Sequence, residues 1–131
     1  MAFVAFVLLA FPAAASAHAN LVRTVPADRA RLTTAPSVVL VTFDDPVQVG
    51  PGTDAVRNGG GSVLAGPPVT HGKKLGVPLR AGLGTGVYSV RWSIISHDGH
   101  NEAGVLAFGV GATAAPEPSL RAGVHLRLRR W

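Results

Sequence analysis

The chain has 131 residues and a net charge of +5 at pH 7, with 12 Lys and Arg against 7 Asp and Glu. It contains no cysteine, which excludes disulfides, thiolate metal sites and cysteine nucleophiles together. Glycine (16) and proline (10) are abundant, aromatic residues are few, and apolar residues come in short runs. This composition predicts one all-β domain with tight turns rather than a helical protein.

Residues 1–17 have the pattern of a signal peptide. The apolar run from Phe3 to Phe11 is too short to span a bilayer, and Ala15-Ser16-Ala17 is the small-x-small pattern that a signal peptidase accepts. No Lys or Arg precedes the run, which departs from the usual leader. We expect cleavage after Ala17 and export to a periplasmic or other extracytoplasmic compartment. The mature chain would begin at His18 and would not itself span a membrane.

Short apolar segments separated by turn residues follow the leader. We predict strands at Leu21–Val25, Ser37–Phe43, Asp54–Arg57, Ser62–Leu64 and Lys74–Leu79. The second of these is apolar on both faces, as expected for a strand inside a sandwich. The four residues Asn58-Gly59-Gly60-Gly61 tolerate positive φ and predict a hairpin connection.

The clearest alternation in the chain runs from Val87 to Ile95. One face carries Tyr88, Val90, Trp92 and Ile94. Trp92 is expected to anchor the core, with ligand stacking as the alternative. Alternation returns from Gly104 to Val110. Six to seven short strands with regular turns predict a small immunoglobulin-like β-sandwich.

Between these two alternating segments stands Ser96-His97-Asp98-Gly99-His100. In an extended backbone, Asp98 and His100 would project from the same face, because they are two residues apart. A carboxylate oxygen and an imidazole nitrogen together suit Cu(II), Zn(II) or Ni(II). An Asp-x-His pair also occurs by chance, and hydrogen bonding at the end of a loop is the alternative interpretation.

His18 strengthens the metal interpretation. As the first residue of the mature chain, it would offer its α-amine and Nδ1 to one ion, closing a six-membered chelate ring. With Asp98 and His100 the donors become three nitrogens and one oxygen, the tetragonal set of Cu(II) or Ni(II). Since Cu(II) heads the affinity order, we predict one Cu(II) per mature chain, bound by His18, Asp98 and His100. By alternation His97 points away, and His71 and His125 are expected to have no metal role.

The composition changes beyond Gly111. Residues 112–119 (ATAAPEPS) are typical of a disordered linker, and residues 120–131 are basic. Residues 18–111, the predicted domain, carry 8 Lys and Arg against 6 Asp and Glu, whereas residues 112–131 carry 4 Arg against 1 Glu. Most of the net charge therefore lies in the predicted tail. A nucleic-acid partner is not expected, because the domain lacks a basic face with stacking aromatics.

In this order, the motifs resemble the CopC-type copper-resistance domain of bacterial periplasms. The matching elements are His18-Ala19, Val25-Pro26-Ala27-Asp28, Val41-Thr42-Phe43-Asp44-Asp45-Pro46-Val47, Val77-Pro78-Leu79, Gly86-Val87-Tyr88-Ser89-Val90-Arg91-Trp92 and Ser96-His97-Asp98-Gly99-His100. The resemblance implies a Greek-key sandwich that binds Cu(II) through the amine and imidazole of His18, Asp98 and His100. It implies a copper buffer or carrier for resistance or homeostasis, often acting beside a CopD-type inner-membrane protein. The tail is similar to the linker of CopC–CopD fusions.

Three features depart from that family. Some members hold Cu(I) in a Met-rich loop, whereas this chain has only its initiator methionine, so a thioether Cu(I) site is not expected. Asp45 stands where a glutamate often precedes the Pro-Val of the second strand. Its side chain is shorter by one methylene, which leaves open whether it orients His18. Asn101-Glu102-Ala103 replaces the more usual Pro-Val-Ser, without an expected effect on the ligands.

Two alternatives compete with a copper carrier. Lytic polysaccharide monooxygenases also use a terminal histidine as a copper brace, but this chain is short and lacks a cluster of exposed aromatics. A carboxylate beside the second histidine would also occupy a position that oxygen activation needs. A plain immunoglobulin-like interaction module would make His18 fortuitous, although the predicted cleavage site falls directly before it. We therefore predict a protein that is not an enzyme.

Overall fold

The computed structural model describes residues 18–111 and Ser119, and the described chain folds into nine β-strands without a helix. The strands are β1 (Leu21–Val25), β2 (Ala30–Leu32), β3 (Val38–Phe43), β4 (Gln48–Val49), β5 (Asp54–Arg57), β6 (Val69–His71), β7 (Lys74–Pro78), β8 (Gly86–Ile95) and β9 (Asn101–Val110). Accordingly, no apolar helix that could cross a membrane is found among these residues. The predicted leader and, apart from Ser119, the predicted tail lie outside the described residues.

The strands form two sheets, which confirms the predicted all-β sandwich. One sheet has the order β1-β3-β7-β6, and the other has the order β2-β9-β8-β4, with β5 also pairing β8. The core lies between them, where Phe43 of the first sheet meets Trp92 of the second edge to face, with ring centroids 5.3 Å apart. Trp92 is 8% exposed and anchors the core, as predicted. Aromatic pairs of this geometry add to the stabilisation from burial alone.

The long hairpin of β8 and β9 is the part of the fold that presents the candidate site. Ten residue pairs join the two strands, from Gly86 and Val110 at one end to Ile95 and Asn101 at the other. The predicted alternation of β8 is confirmed, because the core-facing residues Tyr88, Val90, Trp92 and Ile94 are all buried. Gly104 pairs with Trp92, and a Cβ at position 104 would collide with the indole ring. A long, tightly packed hairpin gives its turn a fixed position at one end of the sandwich.

Two strand predictions need correction, and some of the observed strands were not predicted. β3 is buried on one face only, since Val39, Val41 and Phe43 alternate with more exposed residues, and no further layer in the described chain covers its other face. The predicted strand Ser62–Leu64 contains only isolated bridges. The short β2, which runs parallel to β9, was not predicted, because three residues are too few for a periodic pattern.

Ser119, from the predicted tail, lies against the second sheet. Its backbone N–H donates to Ser89 Oγ at 2.9 Å, and its hydroxyl is 2.9 Å from Asn58 Oδ1. Ser89 is fully buried on the face of β8 opposite the core, and its own hydroxyl donates to Asn58 Oδ1 at 2.7 Å. This residue of the predicted tail therefore contacts the domain.

Candidate metal centre

The turn that joins β8 to β9 carries two of the three predicted ligands. Ser96 N donates to His100 O at 2.9 Å, and Gly99 N donates to Ser96 O at 2.9 Å, which closes a tight turn. Gly99 has φ of 85°, a left-handed conformation that glycine adopts without strain. The expectation that Asp98 and His100 lie on extended backbone was therefore wrong. They come together because the hairpin has to reverse direction between two long strands.

Asp98 is held in this turn by one of its two carboxylate oxygens. Oδ1 accepts hydrogen bonds from the Ser96 hydroxyl and from the backbone N–H of His100, the latter at 3.2 Å. Ser96 is buried, so its hydroxyl is a fixed donor. The other oxygen, Oδ2, is left to face the two histidines. The contribution of Ser96 was not predicted from the sequence, since a serine before a turn gives no signal of its own.

His18 and His100 converge on Oδ2 of Asp98. The distance from Oδ2 to Nδ1 is 2.7 Å for His18 and 2.9 Å for His100. The two imidazole rings meet edge to face with centroids 4.8 Å apart. One nitrogen from each histidine and one oxygen from Asp98 all lie within 4.8 Å of one another. The structure thus brings together all three residues that the sequence singled out as candidate ligands.

This donor set fits a divalent metal ion. Two imidazole nitrogens and a carboxylate oxygen are the ligand types of Cu(II), Zn(II) and Ni(II). An ion with bonds of about 2.0–2.1 Å keeps its donors roughly 3–4 Å apart, so small side-chain shifts would admit one. The side chains of His18 and His100 are 50% and 66% exposed, whereas Asp98 is 24% exposed. The site is therefore open to solvent, with the carboxylate as its most shielded member.

Hydrogen bonding keeps the carboxylate of Asp98 ionised. The Ser96 hydroxyl is the main cause that lowers the pKa of Asp98, and the side chain and N–H of His100 and the side chain of His18 lower it further. Partial burial acts in the opposite direction and is outweighed. A carboxylate with a lowered pKa offers its charge to a cation at neutral and mildly acidic pH.

The two other histidines of the described chain, His71 and His97, do not belong to this cluster. His97 is exposed and lines an open cleft with residues that include Gln48 and Gly72, and it is not part of the group formed by His18, Asp98 and His100. His71 ends β6 and pairs with Lys74 of β7. His125 lies outside the described residues. The absence of a ligand role for His97 stays a prediction.

Asp44, which was not predicted as a site residue, binds the segment that carries His18. Both carboxylate oxygens of Asp44 accept hydrogen bonds from Asn20, whereas Asp45, the residue considered earlier, makes no hydrogen bond to His18 in the described chain. These two bonds from Asn20 also lower the pKa of Asp44. The sequence signal was the Asp44-Asp45 pair after β3, but only the strand register shows which carboxylate reaches the first segment.

Comparison with known protein families decides the classification. Residues 21–111 match the family model described as the CopC domain. The chain belongs to the CopC family. This confirms the resemblance drawn from the sequence motifs. The matched range includes Asp98 and His100 and begins three residues after His18.

Two curated proteins are similar to this CopC domain. Copper transport protein CutJ of Bacillus subtilis (strain 168) is 32% identical over 109 residues, a match that covers 79% of this chain and 20% of CutJ. The chain thus spans about a fifth of the length of that relative. Protein YobA of Escherichia coli (strain K12) is 32% identical over 98 residues, covering 72% of this chain and 79% of YobA.

Solved structures show the same fold. CopC from Methylosinus trichosporium OB3b superposes with a TM-score of 0.63 at 22% identity, over 79% of this chain and 99% of that one. PcoC, a methionine-rich copper resistance protein from Escherichia coli, superposes with a TM-score of 0.57 at 22% identity, over 72% and 99% of the two chains. At this identity the likeness establishes the β-sandwich fold.

Proposed function

We propose that this CopC domain binds one Cu(II) ion outside the cytoplasm and buffers or carries it for copper resistance or homeostasis. The observation that carries the proposal is the convergence of His18 and His100 on Oδ2 of Asp98. Mixed nitrogen and oxygen donors suit Cu(II), which heads the affinity order of divalent ions. CutJ is a copper transport protein and PcoC is a copper resistance protein, which supports copper over nickel or zinc.

A fourth donor would come from the α-amine of His18. Cleavage after Ala17 would free this nitrogen, and it would bind the same ion as Nδ1 of the same residue. Two donors from one residue lose little ordering entropy, and together with Asp98 and His100 they complete the set expected for tetragonal coordination. Export through the predicted leader would supply both the cleavage and the extracytoplasmic location.

A carrier fits the site better than an oxidative enzyme does. The histidines are half exposed or more, so an ion can be taken up from solvent and passed on by ligand exchange. Asp98 contacts both imidazole nitrogens and would occupy a coordination position that oxygen activation requires. A CopD-type inner-membrane protein, which the family resemblance implies, is the partner that we propose for transfer.

The test is a Cu(II) titration of protein that begins at His18, followed by electron paramagnetic resonance (EPR). We expect one equivalent to bind. His100→Ala should weaken binding by at least tenfold and change the copper hyperfine pattern, because it removes one nitrogen donor. His97→Ala is the matched control on the same turn and should leave both unchanged. Equal binding by the wild type and His100→Ala would refute the proposed site.

A further inference from the structure

We infer that Asp44 is a positioning residue for the proposed copper site, because with Asn20 it fixes the segment that carries His18. The inference rests on the proposed function, since it concerns the same site. Asp44 is not one of the three candidate ligands. Its effect on the metal would be exerted through the chain from Asn20 to His18.

Three hydrogen bonds join the two residues. The backbone N–H of Asn20 donates to Asp44 Oδ1 at 2.7 Å, and the Asn20 amide group donates to Oδ2 at 2.9 Å. In the other direction the backbone N–H of Asp44 donates to Asn20 O at 3.0 Å. Both carboxylate oxygens are therefore engaged by Asn20, which makes Asp44 an anchor rather than a free ligand.

We call these three hydrogen bonds the Asn20–Asp44 clamp, and their position in the fold links them to the site. The regular pairing of β1 with β3 begins at Leu21 and Phe43, and a bulge interrupts it between Leu21 and Arg23. Residues 18–20 thus precede the first paired residue of β1. Without further contacts, such a terminal segment at the edge of a sheet is poorly ordered. The Asn20–Asp44 clamp continues the attachment one residue further, onto the end of the interior strand β3.

Ala19 completes the attachment. It is 3% exposed and belongs to the hydrophobic core, directly between the clamped Asn20 and His18. The segment next to His18 is therefore fixed by the hydrogen bonds of Asn20 and by the apolar packing of Ala19. From this segment the His18 ring reaches Asp98. Ordering the segment during folding removes an entropic cost from metal binding, which is the advantage of a preorganised site.

The chemistry of the pair allows a sharp test. A carboxylate only accepts hydrogen bonds, so Asp44 satisfies both donors of Asn20. Asp44→Leu would leave the backbone and side-chain donors of Asn20 without these acceptors, and Asn20→Asp would place two carboxylates together. The double variant Asn20→Asp/Asp44→Asn restores one acceptor and one donor across the gap. Asp28→Asn is the matched control, because Asp28 tethers a different loop by accepting the N–H of Ala107 at 2.9 Å.

We expect each single variant to weaken Cu(II) binding by roughly 10–100-fold, the usual effect of losing a residue that orients a ligand. The double variant should recover most of the affinity and the wild-type EPR spectrum, and Asp28→Asn should leave both unchanged. A second readout needs no copper. Hydrogen exchange of the backbone N–H at position 20 in the metal-free protein should be faster in the single variants and slow again in the double variant.

Several results would overturn the inference. Unchanged affinity and unchanged Asn20 protection in the single variants would do so, as would single-variant losses that the double variant fails to restore. Equal losses in Asp28→Asn would show general destabilisation instead of positioning. If the wild type bound no copper, the proposed function would fail, whereas Asn20 exchange would still decide whether the clamp orders the segment before His18.

Discussion

His18 and Asp98 are separated by 80 positions in the chain, yet Nδ1 of His18 lies 2.7 Å from Oδ2 of Asp98. The contact joins the segment before the first strand to the turn of the longest hairpin. Neither partner forms the site alone, because His18 depends on the sheet edge for its position and Asp98 depends on the turn.

We expect cleavage of the predicted leader to control whether the site exists. Before cleavage the nitrogen of His18 is an amide, a very weak donor at neutral pH, and the chelate ring cannot close. Protein that begins at His18 should bind one Cu(II) tightly, whereas protein with one extra residue before it should bind much more weakly and give a different EPR spectrum. A copper titration of the two forms measures this difference. Equal affinity would mean that the α-amine is not a ligand.

Asp98 should have two separable roles. Asp98→Ala removes the oxygen donor and also the acceptor for Ser96 and His100, so it should lower both Cu(II) affinity and thermal stability. Asp98→Asn keeps an acceptor oxygen in the turn but removes the charge. The Tm of Asp98→Asn should fall less than the Tm of Asp98→Ala. Its Cu(II) affinity should still fall at least tenfold, because a neutral amide is a poorer ligand for a cation. Isothermal titration measures the Cu(II) affinity of both variants, and thermal unfolding measures their Tm. Equal affinity and equal Tm in the two variants would argue against separate roles in metal binding and in the turn.

Binding should favour Cu(II) strongly over Cu(I). The only methionine is Met1, in the predicted leader, and the chain has no cysteine, so protein that begins at His18 has none of the soft sulfur donors that select Cu(I). A competition titration against a Cu(I) chelator should detect no independent Cu(I) site. Detection of a second site with high Cu(I) affinity would contradict this prediction.

The metal-free protein should lose stability in acid through Asp98. The Ser96 hydroxyl and the two histidines lower the pKa of Asp98 in the folded state. A lowered pKa contributes stability above the unfolded value, about 3.9, and that contribution disappears as the pH falls through the folded pKa. In urea unfolding, Asp98→Asn should therefore have a lower free energy of unfolding than the wild type at pH 7. This difference should shrink as the pH falls below about 4. Ser96→Ala should reduce this difference in the free energy of unfolding at pH 7. A difference that did not change with pH would show that the ionisation of Asp98 is not its cause.

Gly104 should be required for packing beside Trp92. A methyl group at position 104 would lie less than 3.0 Å from Cζ2 of the buried Trp92 ring, so the ring or the backbone would have to shift. Gly104→Ala should cost about 1–3 kcal/mol, with each kcal/mol lowering Tm by roughly 4–8 °C in a domain of this size. Gly66→Ala is the control, because a Cβ there has no neighbour within 4 Å and should leave Tm nearly unchanged. A stable Gly104→Ala protein would mean that Trp92 can repack.

The sequence predicted those parts of the molecule that depend on local pattern and donor chemistry. Alternation identified the buried face of β8, and the side chains of His18, Asp98 and His100 suggested a common site because metals need such donors. The backbone at Asp98 could not be predicted, since the same Asp-x-His spacing suits an extended strand and a tight turn. Asp44 was missed for a different reason. Its contact with Asn20 depends on how β1 is aligned on β3, and that alignment is a property of the whole sheet.

The position of the site also gives the bound ion a structural effect. An ion held by His18 and His100 would tie the start of the folded chain to the last hairpin and close a loop of about 80 residues, in a protein that has no cysteine for a disulfide. An ion bound only by the folded state shifts the equilibrium towards that state, and unfolding of the chain would release it. Copper would thus act as a reversible cross-link. The resistance of the domain to heat and proteolysis would then rise and fall with the copper concentration around it.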